Sequence, residues 1–148
     1  MKTIENYQIL PVKTVLKEAK FLRENEIEKI KNYVEKNLKY KAIIQLFLTT
    51  GVRLAEICTI TNEQIEKAIN LGEVYQINII GKGSKLRSIF PPVETIELCK
   101  NLKNKGETVI GWQKRRVSNL MRRISKATKI SFTAHTLRHT YLSNLARK

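Results

Sequence analysis

Three side chains late in the sequence have types and spacing that suit phosphate chemistry. The stretch Phe132–Lys148 carries His135, Arg138 and His139. His135 and Arg138 are three apart, so a helix puts them on one face, within reach of one ligand. A guanidinium forks onto two phosphate oxygens, and an imidazole donates, accepts or carries a proton. Two earlier stretches hold matching groups. Thr50–Glu56 presents Arg53 and Glu56, and Gly81–Arg87 presents Lys82, Lys85 and Arg87. Taken singly, each has an ordinary reading. Arg53 with Glu56 is a helix ion pair worth roughly a few tenths of a kcal/mol. Lys82 is a solvated turn lysine, with Lys85 its rival for any chemical role. Taken together, the three stretches ask for one common site.

His135 and His139 are four apart, which is also the spacing of a metal-binding pair. No Glu lies between them and no third ligand is near in sequence, so no metal is expected, and His139 is expected to support the site. Gly81-Lys82-Gly83 lacks the spacing of a nucleotide-binding P-loop. Cys58 and Cys99 have no CxxC spacing and read as reduced, half-buried thiols.

The 148 residues suffice for one domain with a real core, and 42% of them are hydrophobic. The formal net charge is +15, a large excess that points to a polyanionic partner. Every acid is a Glu and the last is Glu107. Beyond it come Lys114, Arg115, Arg116, Arg122, Arg123, Lys126, Lys129, Arg138, Arg147 and Lys148 with nothing to offset them. Nucleic acid is therefore the expected partner, ahead of an anionic membrane surface. No apolar run is long enough to span a bilayer, and the first residues carry no apolar signal core. A cytoplasmic location is expected, nucleoid-associated in a bacterium or archaeon.

The positioning elements follow from periodicity. Residues 1–20 read as an arm or linker with a short helix around Lys13–Ala19. Ile27, Ile30, Val34 and Leu38 recur at helical spacing. Ile43, Ile44, Leu46, Phe47 and Leu48 make a helix apolar on nearly all sides, hence central, with Gly51 as its C-cap. Thr61 and Gln64 form a capping box for a short helix carried on to Ala68–Ile69. Glu73–Ile80 and Lys85–Phe90 alternate as two strands of an antiparallel hairpin with Lys82 at its tip. Pro91-Pro92 starts a helix through Val93, Ile96, Cys99 and Leu102. Val117, Leu120, Met121, Ile124 and Thr128 line one face of a basic helix. Thr133 caps the last helix, whose apolar stripe is read as Leu137, Tyr141, Leu142 and Leu145. The predicted class is mainly α with a small antiparallel β-sheet (α+β).

The ordered set Thr-Gly-Val-Arg-Leu-Ala-Glu, Gly-Lys-Gly-Ser-Lys-Leu-Arg and His-Thr-Leu-Arg-His resembles the catalytic domain of the tyrosine recombinases, the phage-integrase and Xer-like family. The resemblance runs from about Phe21 to the end, so residues 21–148 are expected to be an integrase-like catalytic domain. It implies that Arg53 and Arg138 clamp the scissile phosphate, that Lys82 is the general acid for the leaving 5′-hydroxyl, and that His135 assists proton transfer. It makes Glu56 a support for Arg53. Lys85, Arg87, Arg115, Arg116, Arg122 and Arg123 become expected contacts to double-stranded DNA. The family's reaction passes through a 3′-phosphotyrosyl bond and needs no metal, ATP or other cofactor.

The sequence departs from the pattern after Arg138. The family's second histidine (or tryptophan) and its tyrosine nucleophile belong further along than Lys148, and Tyr141 falls where the family packs a core aromatic. The expectation is a recombinase catalytic domain incomplete at its C-terminus and inactive alone, which acts as a homo-oligomer on DNA or with a partner that supplies the tyrosine. The alternative is a non-catalytic DNA-binding regulator or decoy derived from a recombinase.

Overall fold

The computed structural model describes residues 20–147. The expected arm, with its helix at Lys13–Ala19, falls almost wholly outside them. Among the described residues are seven α-helices and one three-stranded sheet. In chain order they are α1 (Glu24–Val34), α2 (Leu38–Thr50), α3 (Leu54–Ile57), α4 (Asn62–Glu66), β1 (Ile69–Asn70), β2 (Tyr75–Ile80), β3 (Leu86–Ile89), α5 (Val93–Leu102), α6 (Lys114–Thr128) and α7 (Ala134–Ala146). A short 3₁₀ turn, Lys82–Ser84, joins β2 to β3. The α+β class expected from the sequence is the class observed.

Helix α2 is the centre of the molecule. Ala42, Ile43, Ile44, Leu46 and Phe47 are fully buried, so apolar residues face outward from its axis in several directions. Both α5 and α7 pack on it, and α1 packs on α2 and α6. Gly51 ends it in the left-handed region at φ 67°, the C-cap that glycine adopts without a Cβ penalty. The sheet is antiparallel in the order β1-β2-β3, with Ile77 opposite Ile89 and Ile80 opposite Leu86. Ile77, Ile79 and Ile89 turn to the core, while Gln76, Asn78 and Ser88 hydrogen-bond along the other face.

Four details differ from the sequence reading. Leu38 does not extend α1: Asn37 accepts a hydrogen bond from the Tyr40 amide at 3.1 Å and caps a new helix, which leaves Leu38 half exposed. Helix α4 stops at Glu66, and Ile69 instead pairs with Gln76 as an exposed edge strand. Cys99 is fully buried, not half-buried as expected. The stripe on α7 is narrower than expected. Leu137 is buried, but Leu142 and Leu145 face solvent. The buried side of α7 uses Ala134, Thr136 and Thr140. These small residues let α7 lie close to α2, and Thr140 meets its own polar demand by donating to the Thr136 carbonyl and accepting the Leu22 amide, both at 2.8 Å.

Candidate functional site

Gly51, Arg53 and the start of α7 meet where α2 ends. The turn at Gly51 reverses the chain, so Arg53 becomes the N-cap residue of α3. Its amide donates to Glu56 Oε1 at 2.8 Å, leaving the Arg53 side chain free to extend, 45% exposed. Arg138 projects from α7 and donates to the Gly51 carbonyl, tying the two segments together. One open cleft is lined by Arg53, Lys82, His135 and Arg138, with Val52, Leu54 and Ala55 on its wall. All four residues assigned to chemistry in the sequence thus converge, although three separate segments carry them.

Sequence reasoning did not place Lys114 and Ser118 in this cleft, yet both line it. They lie four apart at the start of α6, on one face, a signal hidden among the other basic residues of that helix. The lining therefore carries Arg53, Lys82, Lys114 and Arg138, with no carboxylate among its residues. That arrangement selects an anion with several oxygen acceptors.

Glu56 lies beneath the cleft, 4% exposed, and organises its floor. Arg87 reaches in from β3 and forks onto it, Nη2 to Oε1 at 2.7 Å and Nε to Oε2 at 2.9 Å. Arg53 Nη1 is 3.7 Å from Oε2. Burial would raise the Glu56 carboxyl, but the Arg87 hydrogen bonds, the Arg53 amide and both positive charges outweigh it and hold the group below its ordinary value. Glu56 is a carboxylate at neutral pH. Arg138 moves the other way: burial first, then the charges of Arg53 and Arg87, lower it from the usual guanidinium range. A guanidinium retains its charge across such a shift, so Arg138 remains a cation in an electropositive cleft.

His135 and His139 stand edge to face, with their Nε2 atoms 2.8 Å apart. His139 is lowered by burial and by the nearby charges of His135 and Arg138. Among the described residues, no three His, Cys, Asp or Glu side chains group to hold a metal ion.

The remaining expected contacts are distributed differently. Lys85 is exposed outside the cleft, and its carbonyl accepts the Gly81 amide at 2.7 Å to close the hairpin. Arg87 is turned inward by Glu56. Arg115 and Arg122 are exposed on α6. Arg116 lies over Trp112, 4.3 Å from Cζ to the ring centre, and Arg123 donates to the Tyr40 hydroxyl at 3.0 Å. Tyr141 packs across Gly51, and no tyrosine lines the cleft among the described residues.

With this geometry in place, the sequence model of the phage integrase family matches residues 20–148. The chain belongs to the phage integrase family. Among curated relatives it is similar to the tyrosine recombinase XerC of Staphylococcus aureus strain JH9, 28% identical over 150 residues, an alignment covering 84% of this chain and 47% of the relative. XerC of strain USA300 aligns at the same identity over 149 residues. The chain thus spans about half the length of the curated relatives it matches. Solved structures share the integrase fold. The XerA recombinase superposes with a TM-score of 0.71 at 22% identity, covering 86% of this chain and 50% of that one. The catalytic core of lambda integrase gives 0.68 at 22% identity, covering 86% and 84%. The XerH site-specific recombinase bound to difH, a pre-cleavage complex, gives 0.69 at 22% identity, covering 86% and 43%.

Proposed function

We propose that this integrase-family chain is the phosphate-activating part of a DNA strand-transfer site. The observation that carries the proposal is the convergence of Arg53, Lys82, His135 and Arg138 in one cleft whose lining has no carboxylate. Arg53 and Arg138 bind the non-bridging oxygens of a scissile phosphodiester and stabilise the extra charge of its pentacoordinate transition state. Lys82, at the turn end of the β2–β3 hairpin, protonates the leaving 5′-oxygen. His135 holds the phosphate or carries the proton of the attacking hydroxyl. A tyrosine hydroxyl attacks phosphorus, forms a 3′-phosphotyrosyl bond and releases the 5′-hydroxyl strand. That tyrosine comes from outside these cleft residues, either from further chain or from a neighbouring subunit. The family membership and the XerH complex with its difH substrate support double-stranded DNA as substrate, and a lambda integrase tetramer bound to a Holliday junction supports a homo-oligomer on DNA as the working form.

A second reading is a DNA-binding protein that regulates recombination without cutting. Among the described residues no tyrosine lines the cleft, an arrangement this reading also accommodates. Both readings expect duplex binding that weakens steeply with salt. They part on covalent chemistry. Mixed with duplex and a tyrosine-bearing recombinase subunit whose own arginines are disabled, this chain should yield a covalent DNA adduct on that subunit, and Arg138→Ala should abolish it. Duplex binding with no adduct in either mixture would select the non-catalytic reading. Duplex binding unaffected by Arg53→Ala combined with Arg138→Ala would overturn the cleft as the phosphate site.

A further inference from the structure

The lone tryptophan of the chain sits among cations on a face of α6 that the cleft does not use. Lys114 and Ser118 mark the flank of α6 that lines the cleft. At 3.6 residues per turn, Arg116 and Arg123 lie about 200° and 180° around the helix from Lys114. They therefore belong to the opposite flank. There Arg116 covers the Trp112 ring at 4.3 Å, Lys39 Nζ stands 5.4 Å from the same ring, and Tyr40 packs edge-on against it at 6.2 Å. Arg123 is fixed by its bond to the Tyr40 hydroxyl. Among the described residues, none of Lys39, Arg116 and Arg123 has a carboxylate within ion-pair distance; the ion pairs present join other cations to Glu35, Glu56 and Glu63.

We infer that Lys39, Tyr40, Trp112, Arg116 and Arg123 form a second contact surface for the phosphodiester backbone of nucleic acid, apart from the cleft. It rests on the DNA reading proposed above. Two features favour a backbone contact over an idle basic patch. First, the aromatic rings hold both guanidiniums in place while leaving them exposed, so less side-chain entropy is lost when a phosphate binds. Second, Arg116 and Arg123 are two turns apart, about 10 Å along the axis, a span that several successive phosphates of one strand occupy. The phosphates come from the cleft-bound duplex further along or from a second duplex.

The test uses the full chain, its single tryptophan as reporter, and the double variant R116Q/R123Q. Titration with duplex of arbitrary sequence should change Trp112 emission in the parent protein. The variant should melt as the parent does and bind with a log–log salt slope shallower by about 2, near 0.9 for each phosphate it no longer neutralises. If that change in slope appears only with duplexes of about three helical turns (~30 bp), the phosphates belong to the cleft-bound duplex; if it appears with about one turn (~10 bp) at two duplexes per protein, they belong to a second one. An unchanged slope with unchanged Trp112 emission overturns the inference while leaving the cleft reading intact. Emission that responds to polyglutamate but not to duplex also overturns it, and assigns the face to an acidic protein. Failure of the parent to bind any duplex removes the DNA reading itself.

Discussion

Arg87 and Glu56 form a two-point ion pair that joins the β2–β3 hairpin to the turn carrying Arg53. Gly81, the residue before Lys82, packs so closely on this pair that a Cβ there would stand 3.0 Å from Glu56 Oε2 and 3.2 Å from Arg87 Cδ. The pair therefore sets where the hairpin leaves the core and so where Lys82 begins. It also gives the one buried carboxylate beside a cleft full of cations its role: Glu56 pairs with Arg53 of the cleft and with Arg87 of the hairpin, and is not itself part of the cleft lining.

Glu56→Gln should cost about 2 kcal/mol. The figure falls below the 3–5 kcal/mol for breaking a fully buried pair because Arg87 keeps about a third of its side chain exposed. Because the folded state lowers the Glu56 value, its contribution is complete above the unfolded carboxyl value and fades as pH falls through the folded one. Urea melts from pH 7 down to pH 3 should show the parent losing stability in acid and Glu56→Gln losing less. Parallel curves would remove Glu56 as the cause.

Gly51→Ala should be far more damaging than Gly83→Ala. Both glycines have positive φ, 67° and 74°. A Cβ at Gly51 collides with the Tyr141 ring, whereas at Gly83 it meets nothing within 4 Å. The backbone penalty is about 1 kcal/mol at each site, and overpacking adds roughly 1–3 kcal/mol at Gly51 alone. Gly51→Ala also displaces the carbonyl that Arg138 grips, so duplex binding should fall with it. Equal melting points for the two variants would contradict this.

The parts of this molecule legible in its sequence are those fixed by local rules. Gly51, Thr61 with Gln64, and Thr133 announce helix ends through single residues, and each does so in the structure. The basic helix reads cleanly because Val117, Leu120, Met121 and Ile124 repeat at the helical period. What stays hidden depends on partners remote in sequence. Arg87 reads as a surface cation because nothing near it in sequence foretells Glu56. Lys114 reads as one basic residue among many until α6 is set beside α3. Leu142 and Leu145 read as buried because periodicity identifies an apolar face but not which other element covers it.

Thr140→Val tests how the start of the described chain is held to α7. The Thr140 hydroxyl is fully buried and accepts the Leu22 amide at 2.8 Å. Valine keeps the shape and removes the acceptor, stranding a buried N–H at a cost of about 1–3 kcal/mol. Hydrogen exchange should show the Leu22 amide losing protection while the α2 amides keep theirs. Protection lost uniformly would mean a global effect instead of a severed tether.

The His135–His139 pair should make the cleft sensitive to mild acid. Their Nε2 contact needs one ring to donate and the other to accept, so protonating both rings breaks it. The fold lowers the His139 value, through burial first and then the charges of His135 and Arg138. Its neutral form is the one the fold favours, so its contribution is complete above the ordinary histidine value of about 6.5 and fades as pH falls through the lowered one. Stability should therefore decline as pH falls below about 6.5, above the range where Glu56 acts, and His139→Gln should flatten that part of the curve. Histidine ring NMR gives an independent check: the His139 titration should move up toward its ordinary value in Arg138→Ala, because one of the charges opposing its proton is then gone. An unmoved His139 titration in that variant would mean that Arg138 does not act on the pair.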